Sequence, residues 1–382
     1  MTSYSTKDYS AWKDQITKEL RGTKSFEEFL NLDFLGQKLQ RYYTLEEHAS
    51  LGDFPKKLSV TAQNAKADIF TNYLWLTPKT EAIKHFSDGS YNGLYIEKAS
   101  DISNLDSNID LGFVKTMVAS GALTNVDQDK MSPKGDYPLT LVSNYTHNTE
   151  TTFSECGIFE GYEASVKGAY IDTELALAIQ HGIEAVRKGC KKINIVLGFG
   201  PDDWFHLNIK LRVLPYLWQS ALAEHNLSCD TFSFTLKAIP SAFPKQDEYN
   251  HLLRQCMVAF AAISHGADGV VFSPYTDSHL GEHATGRVAT IIANECFVNI
   301  KEDHYEGNYL LDFGSKILAD AVWNKLLALG NNDALLTQNW IENDKSKWLS
   351  DDRKFIGLNA YLAEDNTNIT PSFNSEGQKT FS

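Results

Sequence analysis

The stretch that decides the fold of this chain begins with G-Y-E-A-S-V-K-G-A-Y-I-D-T-E-L-A at residues 161–176 and ends with K-L-R at 210–212 and L-W at 217–218. Between these ends lies an apolar run at 193–199, which predicts a buried strand, followed by a predicted helix at about 204–224. Strand and helix therefore alternate, which is the pattern of a unit in a parallel sheet.

The same alternation continues towards the C-terminus. Strands are predicted at 231–236 and 270–273, and helices at about 247–264 and 284–298. Because the strands recur at nearly equal spacing, the pattern indicates parallel strands joined by right-handed crossovers. Several such units in one domain fit a (β/α)8 barrel, and a doubly wound open sheet is the alternative that periodicity leaves open.

The rest of the chain is less regular. Residues 9–21 predict an amphipathic helix, and short buried strands are predicted at 72–76, 93–96 and 139–143. A helix at about 315–329 closes the regular part. The residues after 361 are rich in Asn, Ser, Thr and Gly, so we expect a tail or the start of a linker there.

Composition and charge narrow the classes of function. A chain of 382 residues with 42% hydrophobic and 22% charged residues is typical of a globular protein that buries one large core or two. The formal net charge of −14 argues against partners such as nucleic acid or an anionic membrane surface, because proteins that bind them usually present a basic face. No apolar run approaches the roughly 20 residues that span a bilayer.

The cysteines indicate the compartment. The chain has five, widely spaced and without a C-x-x-C pair: Cys156, Cys190, Cys229, Cys256 and Cys296. That pattern favours reduced, mostly buried thiols over a disulfide framework. Residues 1–8 lack the apolar core of a signal peptide. Together these features predict a cytoplasmic location.

The motifs at 161–218 resemble the substrate domain of the methylmalonyl-CoA mutase family, whose pattern is G-Y-H, then G-A-x-x-x-x-E-L-A, then K-L-R-x-x-x-x-L-W. Further segments resemble the family in the same order: D-E-Y-N-H-L-L-R at 247–254, G-A-D at 266–268, D-H-Y-E-G-N-Y at 303–309 and R-K-F-I-G-L-N-A-Y at 353–361. Near the front, L-R-G at 20–22 and Y-Y-T at 42–44 resemble the opening of the family's small subunit. The resemblance spans about residues 9–361.

The chain departs from the catalytic members of the family where they perform chemistry. Glu163 stands where G-Y-H has a histidine that contacts substrate, and an ionised carboxylate only accepts hydrogen bonds. P-Y at 274–275 resembles the non-catalytic subunit and replaces the H-T-N-A-L-D-E-A run of catalytic chains. The cobalt-binding motif D-x-H-x-x-G does not occur, and the residues after Tyr361 are too few for a cobalamin domain.

The resemblance implies an α/β fold, a (β/α)8 TIM-type barrel with an N-terminal helical arm and C-terminal helices. Its parts would be an arm at 1–45 that lies on a partner subunit, the barrel at 46–330, a helical segment at 331–361, and a tail or truncated linker at 362–382. The implied function is that of the small, non-catalytic subunit of a methylmalonyl-CoA mutase. In such a heterodimer the large catalytic subunit would hold adenosylcobalamin, and this chain would hold no cofactor and no metal.

Three residues are candidates for contact with substrate, and none is expected to be catalytic. Tyr162 and Glu163 occupy the family's G-Y-H segment, and Ser273 ends a predicted strand. They also fit an alternative function, an acyl-CoA-binding barrel or an isomerase that works with a separate cobalamin-binding protein. That alternative needs an open bore lined by the alternating Thr and Ser of strand 231–236, whereas ordinary layer packing in a filled barrel is the simpler interpretation.

A third hypothesis is a metallohydrolase. H-L-G-E-H at 279–283 matches an inverted zincin pattern, with His279, Glu282 and His283 as the ligating and catalytic side chains. Gly281 between the histidines and the lack of a clear third ligand, other than Glu302 or Asp303, favour solvated loop residues instead.

G-F-G-P at 198–201 precedes a predicted helix, whose N-terminus could hold a phosphate. Pro201 has no N–H to donate, and the carboxylates of Asp202 and Asp203 would repel an anion. We therefore predict that these acids cap the helix.

Overall fold

The N-terminal part of the chain consists of short helices and one hairpin. The computed structural model describes residues 6–65, 70–76, 90–97, 115–118, 141–144, 155–201, 203–276, 278–298, 303–330, 334–351 and 353–382. The first elements are α1 (Thr6–Glu19), α2 (Phe26–Leu30), β1 (Asn31–Phe34), β2 (Gln37–Gln40), α3 (Leu45–Ala49) and α4 (Phe54–Ala65). Strands β1 and β2 pair in antiparallel.

A curled parallel sheet forms the centre of the fold. Its strands are β3 (Thr71–Leu76), β4 (Gly93–Ile96), β5 (Lys115–Val118), β6 (Leu141–Asn144), β7 (Glu155–Ile158), β8 (Lys192–Phe199), β9 (Thr231–Ala238) and β10 (Gly269–Val271). The hydrogen-bonded order is β10-β3-β4-β5-β6-β7-β8-β9, and β10 also pairs with β9. The α/β class and the parallel sheet predicted from the sequence are confirmed.

Helices follow the last four strands of the sheet. They are α5 (Glu160–Val166) and α6 (Ile171–Arg187) after β7, α7 (Trp204–Glu224) after β8, α8 (Glu248–Ser264) after β9, and α9 (His279–Glu295) after β10. Two more helices, α10 (Tyr309–Leu329) and α11 (Ala334–Leu349), come next. Most residues that connect β3 to β7 lie outside the described part, so the strand–helix alternation is described for the second half of the sheet. The helices within the described ranges include no candidate for a membrane span.

The pairing of β8 with β9, the longest in the sheet, shows how alternate residues of one strand pack on opposite faces of the sheet. Strands β8 and β9 pair over eight residues, from Lys192 opposite Thr231 to Phe199 opposite Ala238. On the outer face Phe232 stacks on Trp218 of α7, with ring centroids 5.1 Å apart. On the opposite face the Asn194 amide donates a hydrogen bond to Ser233 Oγ at 2.8 Å. Alternate residues of one strand therefore serve the helical layer and the interior of the curled sheet.

Capping side chains set the helix starts. Asp203 begins α7, and its carboxylate accepts a hydrogen bond from the His206 backbone N–H at 2.8 Å, so the predicted cap is confirmed for this residue. Ser278 and Asn308 cap α9 and α10 in the same way. Both helices therefore begin earlier than the predicted starts at 284 and 315, because the capping side chain and not the apolar periodicity determines where a helix begins.

The second half of the predicted arm at 1–45 packs on helices α7 and α10 of its own chain. Phe34 packs edge-on against Phe205 of α7, with ring centroids 5.6 Å apart. Tyr43 stacks on Phe313 of α10 at 3.8 Å. Trp12 of α1 packs against Phe26 and Tyr42 within the same N-terminal segment. Contact of α1 with a partner subunit stays a prediction.

The expectation of a tail or linker at 362–382 is wrong. Strands β11 (Pro371–Phe373) and β12 (Lys379–Phe381) form an antiparallel hairpin. Phe381 is buried against Trp348 of α11 and Phe355, with ring centroids 5.3 and 5.0 Å apart. The polar composition of this segment hid the few aromatic side chains that hold the hairpin on the preceding helix.

The expectation of five reduced thiols is also wrong. Cys156 in β7 and Cys190, which precedes β8, form a disulfide, and their Cα atoms lie 6.4 Å apart. The 33 residues between them in the sequence include all of α6, so spacing gave no sign that parallel pairing of β7 and β8 brings them together. Cys229, Cys256 and Cys296 are free.

A buried ionic network joins the N-terminal helices α3 and α4 to helices α7 and α10. The guanidinium of Arg212 in α7 pairs with Asp303 at 3.1 Å and with Asp312 of α10 at 2.5 Å, and none of the three charged groups is more than 1% exposed. His48 of α3 contacts the other oxygen of Asp312 at 2.6 Å. Ser59 of α4 donates to Asp303 at 3.0 Å. Although burial raises the pKa of Asp303, the charge of Arg212 and further hydrogen bonds outweigh it and leave that pKa below its usual value.

We expect Arg212→Met to lower the free energy of unfolding by about 3–5 kcal/mol, because it leaves two buried carboxylates without their counter-charge. Urea denaturation followed by circular dichroism measures this. The matched control is Lys316→Met, which removes an exposed pair with Asp320 and should change stability by less than about 1 kcal/mol. Equal midpoints for the two variants would contradict a stabilising role of Arg212.

Candidate functional site

Tyr162 lies at the carboxyl end of the curled sheet, the end where (β/α)8 barrels place their active sites. It belongs to α5, which follows β7 almost directly, and it is 6% exposed. Its hydroxyl donates to the Ala238 carbonyl oxygen at 3.3 Å and accepts a hydrogen bond from Lys237 Nζ at 2.5 Å. One of the three predicted site residues is thus part of a buried polar cluster.

Lys237 is the centre of this cluster, which we call the mouth cluster: Trp75, Tyr95, Glu97, Tyr162 and Lys237. The ammonium of Lys237 lies 3.8, 4.3 and 5.1 Å from the ring centroids of Tyr162, Trp75 and Tyr95. Glu97, which follows β4, contacts it at 3.4 Å. Such a cage of ring faces stabilises a desolvated cation.

Sequence reasoning missed Lys237, although a signal was present. The predicted strand ended at residue 236, whereas β9 continues to Ala238. The alternation of small polar residues, Ser233 and Thr235, leads directly to Lys237 on the same face. A lysine that continues the inner face of a buried strand indicates an internal charge with partners.

Burial shifts the pKa values of the cluster. It lowers the pKa of Lys237 from 10.5 to about 8, against the opposing charges of Glu97 and Glu163. It also raises the pKa of Tyr162 above its usual value, as do the charges of Glu97 and Glu163. The same causes, together with Tyr162, raise the pKa of Tyr95. The phenols are therefore held neutral, and the lysine is the group that titrates near physiological pH.

Glu163 and Ser273, the other two predicted site residues, are not members of the mouth cluster. Glu163 is exposed, although its charge reaches Lys237 and Tyr162. Ser273 follows β10 and is half-buried, and its carbonyl oxygen accepts a hydrogen bond from Gln255 of α8 at 2.6 Å. In the described part of the chain, no hydrogen bond joins the Ser273 side chain to the mouth cluster.

Bulky side chains occupy the interior of the described part of the sheet. Tyr73 and Tyr95 are at most 1% exposed and pack in one buried cluster with Tyr162, Val196 and Val271. The hydroxyl of Tyr73 donates to Asp268 at 3.2 Å. This packing agrees with the interpretation of a filled barrel.

Within the described ranges, no third ligand completes a metal site at His279, Glu282 and His283. His279 and Glu282 lie in the first turn of α9 behind the Ser278 cap, and His283 lies one turn further on. Asp303, a candidate third ligand, pairs with Arg212 instead, and Glu302 lies outside the described residues. Within those residues, no group of three or more His, Cys, Asp or Glu side chains could hold a metal ion.

Neither a model of a known protein family nor a curated protein matches this chain. The mouth cluster and the packing around it therefore provide the physical basis for a functional interpretation.

Stability should depend on pH through Lys237. Above about pH 8 the folded chain releases the lysine proton, whereas the unfolded chain keeps it up to about 10.5, so the unfolded state binds more protons in this window. The contribution of Lys237 to the free energy of unfolding should therefore rise by about 2 kcal/mol between pH 8 and pH 10, measured as the difference between the native chain and Lys237→Met. Cys229, Cys256 and the buried tyrosines, whose pKa values burial raises, act in the opposite direction over this range in both chains.

Urea denaturation across this range measures the rise. Lys237→Met should remove it, and Lys191→Met, at an exposed position, should retain it. A rise of equal size in Lys237→Met would show that another group is responsible.

Proposed function

We propose that this chain is the small, non-catalytic subunit of a cobalamin-dependent methylmalonyl-CoA mutase, built as a (β/α)8 TIM-type barrel. Its partner in the heterodimer would be the large subunit, which would hold adenosylcobalamin and interconvert methylmalonyl-CoA and succinyl-CoA. The ordered motifs from about residue 9 to 361, which resemble the family, support this assignment.

The filled interior is the observation that carries the non-catalytic part of the proposal. Tyr73, Tyr95 and Lys237 are fully buried on the inner face, and Tyr162 closes over the ammonium group. An acyl-CoA that threaded the axis would have to displace these side chains and leave Lys237 without its partners. Leaving a buried charge unpaired is costly, so the native packing opposes substrate entry.

Glu163 supports the same interpretation. Its carboxylate is exposed at the mouth, where its negative charge would repel the carboxylate of a methylmalonyl group. The alternative of an acyl-CoA-binding barrel requires an open bore lined by small polar side chains. Ser233 is instead paired with Asn194, and Thr235 is fully buried next to Lys237 along the strand.

An exposed apolar face supports the assignment to a subunit. Tyr249, Leu253 and Phe260 of α8 are 68%, 67% and 39% exposed, and their spacing places them on one side of the helix. Leu280 and Ile291 form a similar stripe on α9, which packs beside α8. Exposed apolar side chains grouped on one side of a helix commonly mark a protein interface. We assign this α8–α9 face to the large subunit.

Co-expression with the large mutase subunit, followed by purification through a tag on this chain, tests the proposal. We expect a stoichiometric complex with cobalamin-dependent mutase activity, and no activity from this chain alone. If the large subunit does not co-purify and this chain alone binds methylmalonyl-CoA by calorimetry, the acyl-CoA barrel replaces the subunit proposal.

A single substitution tests the α8–α9 face. Leu253→Glu should weaken binding to the large subunit by at least about tenfold, because it places a charge at the centre of an apolar contact. The control is Leu327→Glu on α10, which is 64% exposed and should bind normally. Normal binding by Leu253→Glu would contradict this assignment. If the variant instead dissociates a dimer of this chain, a second copy is the true occupant.

A further inference from the structure

A groove of about 550 Å³ lies between α4 and α7, and we call it the α4–α7 groove. Its lining comes from the start of α4, with the residue before it, and from the second half of α7: Asp53, Lys56, Lys57, Thr61, Tyr216, Gln219, Ser220 and Ala223. None of these residues belongs to the mouth cluster or to the α8–α9 face, so the proposed function does not use the groove. Its volume is comparable to that of sites that hold small ligands.

Buried contacts hold the two walls of the groove together. Phe54 of α4 packs edge-on against Tyr216 of α7, with ring centroids 5.4 Å apart. Ser59 of α4 is buried and donates a hydrogen bond at 3.0 Å to Asp303, which pairs with Arg212 of α7. Because the fold itself sets the distance between the walls, a ligand can bind with little ordering of the backbone.

Lys56 and Lys57 are the charged donors of the groove. Both side chains are exposed, so a ligand in solution can reach their ammonium groups. Within the described part of the chain, neither ammonium group has an ion-pair or hydrogen-bond partner. Asp53 is the single carboxylate among the described lining residues, and it pairs with neither lysine. The two lysines and Asp53 give the lining a balance of +1, in a chain whose formal net charge is −14.

The neutral polar groups of the lining add little that would compete with these donors. The hydroxyl groups of Thr61 and Ser220 donate to carbonyl oxygens one turn earlier in their own helices, at 2.7 and 2.9 Å. The exposed amide of Gln219 can donate or accept. Since the charged donors outnumber the charged acceptor, the groove best matches a ligand that is negatively charged and accepts hydrogen bonds.

A phosphate ester matches this donor set better than a carboxylate does. Near neutral pH a phosphoryl group carries close to two negative charges on three acceptor oxygens, so it can contact both lysines through charge-assisted hydrogen bonds. A carboxylate carries a single charge. Hydroxyl groups on the body of the ester could donate to Asp53, which favours a sugar phosphate. A soluble ester is favoured over a lipid headgroup, because the net charge of −14 opposes approach to an anionic bilayer.

We propose that the α4–α7 groove binds a small, soluble sugar phosphate, whose phosphoryl oxygens accept hydrogen bonds from the ammonium groups of Lys56 and Lys57. The site does not include the mouth cluster, and it is independent of the assignment to a mutase subunit.

The test is a titration of the full chain with glucose 6-phosphate at constant ionic strength, followed by NMR of isotope-labelled tyrosine rings. The ring signals of Tyr216, identified by their loss in Tyr216→Phe, should shift saturably. Inorganic phosphate should displace the probe, and glucose, which lacks the phosphoryl group, should not shift these signals. The double variant Lys56→Gln, Lys57→Gln should weaken binding of glucose 6-phosphate by at least about tenfold, because it removes both charged donors.

The matched control is the double variant Lys24→Gln, Lys38→Gln, which changes the net charge equally at exposed positions outside the groove and should bind as the native chain does. All four lysines are exposed, so both double variants should keep the native circular dichroism spectrum. Equal weakening in the two double variants would overturn the proposal, because net charge and not the groove would then govern binding. The proposal also fails if glucose 6-phosphate gives no saturable shift at Tyr216, or if glucose binds equally well.

Discussion

The buried guanidinium of Arg212 is the interaction on which the arrangement of the layers depends. It stands between two carboxylates, Asp303 and Asp312, that belong to segments far away in the sequence. Through His48 and Ser59 the same network reaches the N-terminal helices. Removing the guanidinium would leave both desolvated carboxylates without their counter-charge. The network therefore specifies one position of α10 and the N-terminal segment against α7.

In the interior of the sheet, too, a buried charge is compensated by the side chains around it. The ammonium group of Lys237 is buried. Tyr162, Trp75, Tyr95 and Glu97 provide the stabilising interactions that water would otherwise make with it. A cluster whose members satisfy one another is stable in the absence of a ligand. For this reason we propose a structural and not a catalytic role for the mouth cluster.

How much of the fold the sequence predicted varies along the chain. The apolar strands and long helices from residue 190 onwards were predicted with nearly their observed bounds, because burial repeats with the period of each element. Helix starts were predicted less well, since capping depends on single polar side chains such as Ser278 and Asn308. The hairpin at 371–381 was missed, because two ring contacts of a single phenylalanine, Phe381, help to hold a segment of polar composition.

The candidate site was predicted only in part. The sequence by itself determined the apolar periodicity and the parallel α/β class, because these depend on neighbours along the chain. The strand before Tyr162, β7, was not predicted. Tertiary structure alone decided that Lys237 meets Tyr162, that Cys156 joins Cys190, and that Tyr170 meets His206. Those pairs are separated by more than 30 residues, and their contact depends on how far the sheet curls and on the register of its strands, which local periodicity does not encode.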